Sequence, residues 1–69
     1  MTFREIIRIL EESGFAEVRC NGSHHIYSGV VDDRRQVVTV AYHRLGDDIH
    51  PKTRASIIRQ SGLAKRLFD

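Results

Sequence analysis

The segment that decides the fold is FAEVRCNGSHHIYS, residues 15–28. At its centre lies Asn21-Gly22, and both residues tolerate the positive φ angles that a two-residue type I′ hairpin turn requires. The flanking residues therefore predict two antiparallel strands, at about Phe15–Cys20 and Ser23–Ser28. The turn sets the register of these strands, and the register decides which side chains share a face of the sheet.

This register predicts the side chains on each face of the hairpin. Arg19 is expected opposite His24 and Val18 opposite His25, and directly opposed residues share a face. Because successive side chains on a strand point in opposite directions, the two histidines are expected on different faces. The polar face would hold Arg19, His24, Glu17 and Ile26. The apolar face would hold Ala16, Val18, Cys20, Tyr27 and His25.

One helix is predicted before the hairpin and another near the end of the chain. Thr2 and Glu5 are spaced for a capping box, and Gly14 is suited to end the first helix. Pro51 suits the first position of the second helix, and Gly62 suits its end. Apolar residues at helical spacing predict the buried sides. These are Phe3, Ile6, Ile7 and Leu10 for the first helix, and Ala55, Ile57, Ile58 and Leu63 for the second.

A third strand is predicted between the hairpin and the second helix. Gln36–His43 is rich in β-branched residues, and its apolar run indicates a central strand or an edge covered by a partner. Gly29–Arg35 before it is interpreted as an exposed loop, and Leu67-Phe68 as a terminal turn that packs back. The order α-β-β-β-α predicts an α+β fold, with two helices on one face of a three-stranded antiparallel sheet. We expect a single domain over residues 1–69.

Composition limits the partners of the chain. Its 69 residues hold one cysteine, Cys20, so no internal disulfide can form. No apolar run approaches the roughly 20 residues that cross a bilayer, and a cytoplasmic protein without a membrane partner is expected. Nine of the 11 basic residues are arginine, and the pI is about 9.1. Arginine matches phosphate geometry, so a nucleic-acid partner and an ordinary solvated surface are equally consistent with the charge.

Several segments resemble the HicA toxin family. Arg4–Phe15 is similar to the family's first helix, and GSHHIY at residues 22–27 is similar to its Gly-Ser-His active-site segment. Val38–Val40 with His43 resembles the third strand, and residues 51–53 with 56–63 resemble the closing helix. The resemblance implies a fold like that of double-stranded-RNA-binding domains and a ribosome-independent mRNA interferase. It also implies mRNA as the substrate and a HicB-like antitoxin as the protein partner.

The resemblance assigns the active-site histidine to His24, which follows the Gly-Ser pair. Histidine suits RNA cleavage because it titrates near neutrality and can accept and return a proton. Gly22 would let the RNA backbone approach, and Ser23 would donate a hydrogen bond to a phosphate oxygen. Arg19 and Lys52 are candidate phosphate contacts. On the residues alone, a histidine on a strand near a turn is more often an ordinary surface residue, and the resemblance reverses this in favour of catalysis by His24.

The other histidines have simpler interpretations. The apolar partners of His25 favour a partly buried packing role over catalysis, and His43 is either a surface residue or a second acid or base. His50 precedes a proline and is expected at the start of the second helix. The spacing of Cys20, His24, His43 and His50 matches no zinc module, so no metal or cofactor is expected. The combined interpretation is a metal-independent endoribonuclease toxin, and the alternatives are a non-catalytic RNA-binding module or a protein-interaction domain.

Overall fold

A computed structural model describes all residues from Met1 to Asp69. The three strands form one antiparallel sheet in the order β1-β2-β3. The predicted α+β class and the α-β-β-β-α order are confirmed. The elements are α1 (Phe3–Glu12), β1 (Ala16–Asn21), β2 (His24–Val31), β3 (Arg34–Ala41), α2 (Pro51–Ser61) and a 3₁₀ helix (Lys65–Phe68).

The first helix begins and ends as the sequence predicts. The Glu5 amide donates to Thr2 Oγ1 at 3.3 Å, and the Thr2 amide donates to Glu5 Oε1 at 2.8 Å. This capping box satisfies amides that have no partner inside the helix. The hydrogen bonds that the Thr2 amide and the Thr2 hydroxyl donate to the Glu5 carboxylate lower the pKa of Glu5. Gly14, just after the helix, has a φ of +92°. The whole predicted stripe is buried: Phe3, Ile6, Ile7 and Leu10.

The second helix begins at a histidine cap. His50 lies in an extended conformation, and its Nδ1 accepts a hydrogen bond from the Lys52 amide at 3.2 Å. Pro51 occupies the first helical turn, where its missing amide proton is not needed. Gly62 ends the helix with a φ of +71°, which a residue with a Cβ adopts only at a cost. The predicted start and end of this helix are therefore confirmed.

The buried side of α2 differs from the prediction at one position. Ile57 is buried, and Ile58 and Leu63 are half-buried, but Ala55 is exposed. Ser61, one turn after Ile57, takes a core position instead. Its hydroxyl donates to the Ile58 carbonyl at 2.7 Å and accepts from the Leu63 amide at 3.1 Å, so the polar group is buried without losing its partners.

A second hairpin replaces the loop that was predicted at Gly29–Arg35. β2 continues to Val31 and β3 begins at Arg34, which leaves Asp32-Asp33 as a two-residue turn. The two aspartates have φ angles of 52° and 64°. A short carboxylate side chain tolerates this left-handed conformation better than most residues, so the acidic pair can close a tight turn. The loop prediction was wrong, and the third strand ends at Ala41 and not at His43.

β3 is an edge strand, and part of its outer edge is covered by the chain itself. Val38 and Val40 are fully buried, whereas Val37 on the other face is 54% exposed. The Thr39 amide donates to Gln60 Oε1 of α2 at 3.0 Å. The apolar run of this strand therefore reflects burial of one face under the helices and not a central position, which belongs to β2.

Both helices pack on the same face of the sheet. Tyr27 pairs with Val38 across β2 and β3, so these side chains share the face that the helices cover. Val30 lies on the opposite, open face and is 55% exposed. Neither α-helix has the length and the apolar surface that a membrane-spanning helix requires. One core cluster unites Phe3, Ile6, Ile7, Leu10, Phe15, Tyr27, Val38, Val40, Ile49, Ile57 and Phe68.

Gly29 in β2 offers a sharp test of this packing. A Cβ at position 29 would lie 2.7 Å from a ring carbon of Phe15, so Gly29→Ala must displace the ring or the strand. We expect a loss of about 1–3 kcal/mol in the free energy of unfolding, measured by urea denaturation. Val30→Thr changes the next residue on the open face and keeps a β-branched side chain, so it should stay within about 0.5 kcal/mol of wild type. Equal losses in both variants would contradict the assigned faces.

Candidate functional site

The first hairpin turns one residue later than predicted. Asn21 pairs with His24, so the turn consists of Gly22 and Ser23. Gly22 has a φ of +57° and Ser23 has no positive φ, which is the pattern of a type II′ turn with glycine at its first central position. Gly22-Ser23 is itself a hairpin signal, and it prevails over Asn21-Gly22. The predicted pairs of Arg19 with His24 and of Val18 with His25 were therefore wrong.

A β-bulge in β1 changes the faces farther from the turn. Glu17 pairs with Tyr27 and Arg19 pairs with Ile26, so Val18 is an extra residue on β1. The bulge brings Glu17 to the face that the helices cover and moves Ala16 to the open face. The predicted faces of Ala16 and Glu17 were wrong for this reason. Val18 is 63% exposed and does not join the core.

His24 and Arg19 still share the open face of the sheet. Moving a two-residue turn by one position changes every partner, but it leaves each side chain on its original face. His24 now lies between Asn21 on β1 and Ala41 on β3, and its side chain is exposed. Arg19 is diagonal to His24 on the neighbouring strand, a position about 7–8 Å away that a long side chain can span.

The Gly22-Ser23 turn is held by bonds to both sides. The Ser23 carbonyl accepts a hydrogen bond from the Tyr42 amide at 3.0 Å, which ties the turn to the residue after β3. Cys20 Sγ donates to the Gly22 carbonyl at 3.3 Å. A Cβ added to Gly22 would meet no atom within 4 Å, so the space above the turn is open.

His25 lies on the opposite face, partly buried as expected. Its ring stacks on Tyr42, with ring centroids 4.0 Å apart and planes 12° from parallel. Its Nδ1 is 3.1 Å from Glu17 Oε1. Tyr42 also contacts Phe3 of α1, with ring centroids 5.6 Å apart. His25 therefore connects the hairpin to the helical layer, and sequence reasoning missed the Glu17 contact because the bulge that creates it has no clear sequence signal.

The remaining candidate residues are spread over both layers. Lys52 lies at the start of α2, in the helical layer, and no hydrogen bond or ion pair joins it to the first hairpin. His43 is exposed and follows Ala41 by two residues, so it lies at the same end of the sheet as His24. Arg35 was assigned to a loop, but it lies on the open face of β3 and donates to Ser28 Oγ at 2.8 Å.

Charge is divided unequally between the faces of the sheet. The paired positions of the open face include two arginines and no carboxylate, whereas Glu17 lies on the helical side. A basic face without carboxylates is the electrostatic pattern that attracts a polyanion. The open-face residues are Ala16, Arg19, Asn21, His24, Ile26, Ser28, Val30, Arg35, Val37, Thr39 and Ala41.

Fold and site together define a small α+β domain that offers one open, basic sheet face with a histidine beside a tight turn. The chain matches the family model described as HicA toxin of bacterial toxin-antitoxin over residues 3–63, which includes every strand and both α-helices. The chain therefore belongs to the HicA toxin family, and it is the toxin of a toxin–antitoxin system with a cognate antitoxin as its partner. It matches no curated protein sequence.

Tyr27 and Tyr42, on the helical side of the sheet, should make the protein less stable at alkaline pH. Burial raises the pKa of both Tyr27 and Tyr42 above the ordinary value, and the Glu17 carboxylate adds to the effect. In the unfolded chain these phenols ionise near pH 10, while the folded chain keeps them neutral. Their contribution to stability is complete below pH 10 and is lost as the pH rises through the folded values.

Tyr27→Phe isolates this effect. The denaturant midpoint of the wild type should fall as the pH rises above about 10, and the midpoint of Tyr27→Phe should fall less steeply. Urea unfolding measured at pH 7, 9, 10 and 11 gives the two slopes. Parallel slopes would show that Tyr27 ionises no later in the folded protein than in the unfolded chain.

Proposed function

We propose that this toxin is a metal-independent endoribonuclease, an mRNA interferase in which His24 is the general acid and base. The observation that carries the proposal is the exposed His24 on an open face that holds Arg19 and lacks carboxylates. Membership of the HicA toxin family supports it. His24 begins the central strand, and such a position restricts the motion of the imidazole while leaving it accessible.

The reaction needs one proton removed and one returned. A neutral imidazole of His24 would take the proton of a ribose 2′-hydroxyl as that oxygen attacks the adjacent phosphorus. A bond forms between the 2′-oxygen and phosphorus, and the bond from phosphorus to the 5′-oxygen breaks. The protonated His24, or His43 at the same end of the sheet, would return a proton to the leaving 5′-oxygen. The products are a 2′,3′-cyclic phosphate and a 5′-hydroxyl.

The phosphate that reacts would be held by the turn and the arginines. Arg19 can place its guanidinium beside the charge that develops on the phosphate oxygens. Gly22 leaves room for the RNA backbone, and Ser23 offers a hydroxyl donor. Arg35 would hold a more distant phosphate along the open face. Lys52 is a weaker candidate because it belongs to the helical layer.

A HicB-like antitoxin would silence the toxin by covering this same face. Val30 and Val37 are both more than half exposed there, and Arg19 and Arg35 lie on the same face. An antitoxin surface with apolar residues among carboxylates would complement this combination. Covering the face would exclude mRNA from His24.

His24→Ala tests the catalytic role. We expect the rate of RNA cleavage to fall about 10²–10⁴-fold, because the acid and base are lost together, and growth arrest on expression to disappear. His43→Ala should reduce cleavage less than His24→Ala does. Cleavage of a synthetic mRNA is followed by gel electrophoresis with EDTA present, so that contaminating metal-dependent nucleases are silent. Cleavage by His24→Ala at the wild-type rate would reject the mechanism.

Arg19 and Arg35 are tested by RNA binding in the His24→Ala background, where the RNA stays intact. Each substitution by alanine should weaken binding to single-stranded RNA about tenfold and reduce the slope of log affinity against log salt by about 1. Arg66→Ala, on the 3₁₀ helix of the other layer, is the matched control and should leave both quantities unchanged. Equal effects from all three arginines would indicate diffuse charge attraction and not an RNA-binding face.

The same two assays separate the alternative functions. A non-catalytic RNA-binding module would keep the salt-dependent affinity and leave the RNA uncut in the wild type as well as in His24→Ala. A protein-interaction domain would not cleave RNA in the first assay. In the second assay it would bind RNA no more strongly than the Arg19→Ala variant does.

A further inference from the structure

A second cluster of reactive side chains lies on the helical side of the first hairpin, across the sheet from His24. It consists of Glu17, Cys20 and His25, and one potential ligand atom from each residue lies within 4.8 Å of the other two. Carboxylate, thiolate and imidazole are the three side-chain groups that bind zinc in proteins. The geometry points to a Zn²⁺ site at these three residues.

The bulge in β1 creates this arrangement. Glu17 and Cys20 are three residues apart, so in a regular strand their side chains would point to opposite faces. The extra residue, Val18, brings Glu17 onto the face that Cys20 occupies. Cys20 pairs directly with His25 on β2. Glu17 pairs with Tyr27, which lies two residues after His25 on the same strand and therefore on the same face. All three ligands therefore meet on one face of two adjacent strands.

The distances suit a tetrahedral ion. Zinc binds nitrogen and oxygen at about 2.0–2.1 Å and sulfur at about 2.3 Å, which places tetrahedral ligand atoms roughly 3.4–3.6 Å from one another. His25 Nδ1 and Glu17 Oε1 are already 3.1 Å apart. With no pair beyond 4.8 Å, the largest closure required is about 1.2 Å. Rotation of the exposed side chains of Glu17 and Cys20 can supply it.

Zinc would replace weaker interactions that hold the ligands now. The Cys20 thiol donates to the Gly22 carbonyl, and the Glu17 carboxylate contacts the His25 ring. Binding converts the thiol to a thiolate and releases its proton to the solvent. Because Glu17 and Cys20 are exposed, the fourth position of the ion would be open to water.

Such an ion would brace the hairpin without entering the proposed reaction. It would join β1 to β2 immediately behind the Gly22-Ser23 turn, while His24 points to the other face. A ligand that binds only the folded state stabilises it, so zinc should raise the unfolding temperature. The site therefore does not depend on the proposed function and can be tested without RNA.

The experiment titrates chelator-treated, reduced full-length protein with Zn²⁺ by calorimetry and with Co²⁺ by absorption. We expect one ion per chain, tetrahedral d–d bands in the Co²⁺ spectrum and a thiolate-to-metal charge-transfer band. Cys20→Ser should abolish the charge-transfer band, and Cys20→Ser and Glu17→Gln should each weaken Zn²⁺ binding at least about tenfold. Both substitutions are at exposed positions, and circular dichroism verifies that the variants fold.

His43→Gln and Glu12→Gln are the matched controls, since both residues are exposed and lie outside the cluster. Each should bind Zn²⁺ as the wild type does. The proposal is overturned if no ion binds at one equivalent, if Cys20→Ser retains the wild-type affinity, or if His43→Gln weakens binding as much as Cys20→Ser does. The last result would reveal an adventitious surface histidine site.

Discussion

The register between β1 and β2 is the constraint on which both candidate sites of this toxin depend. Two local features set it, the Gly22-Ser23 turn and the bulge at Val18. The turn directs His24 to the open face and His25 to the helical face. The turn also directs Arg19 to the open face, and the bulge brings Glu17 to His25. Successive side chains on a strand alternate between its two faces. A change of one residue in the pairing of β1 with β2 would therefore move every side chain of one strand to the opposite face and separate the residues of both sites.

The sheet separates two kinds of chemistry in a chain of 69 residues. One face is bare of helices, basic and without carboxylates, and it is suited to a polyanion. The other face contributes Tyr27, Val38 and Val40 to the core, and near the turn it holds the Glu17–His25 pair. A small domain buries limited apolar surface. The stack of His25 on Tyr42 adds to this buried surface and extends the core toward the first hairpin. Packing on one face thus orients the strand that presents His24 on the other.

The architecture also covers part of the outer edge of β3. β3 presents backbone groups to the outside, and Gln60 of α2 accepts from one of them at Thr39. An uncovered edge can pair with another strand, and a helix side chain that occupies an edge amide reduces this tendency. α2 therefore stabilises the sheet in two ways. Ile57 packs in the core, and Gln60 binds an edge amide of β3.

Local signals in the sequence determined the elements that need only neighbouring residues. The capping box at Thr2 and Glu5, the proline start and glycine end of α2, and the stripe of α1 are all present as predicted. These features depend on hydrogen bonds and φ angles within a few residues, which composition and spacing reveal. The resemblance to HicA toxins likewise lies in the sequence itself.

Tertiary structure alone decided the pairing and the clusters. Asn21-Gly22 and Gly22-Ser23 are both hairpin signals, and both place the same side chains near the turn on each face, so the sequence pattern did not choose between them. The bulge at Val18, the Asp32-Asp33 turn and the edge position of β3 depend on the faces that must be buried, and the strand sequences alone do not specify this. Glu17, Cys20 and His25 therefore meet, and Arg19 and Arg35 share a face, for a reason absent from their spacing. Antiparallel pairing brings together residues that are distant along the chain, and the burial of the core chooses which ones.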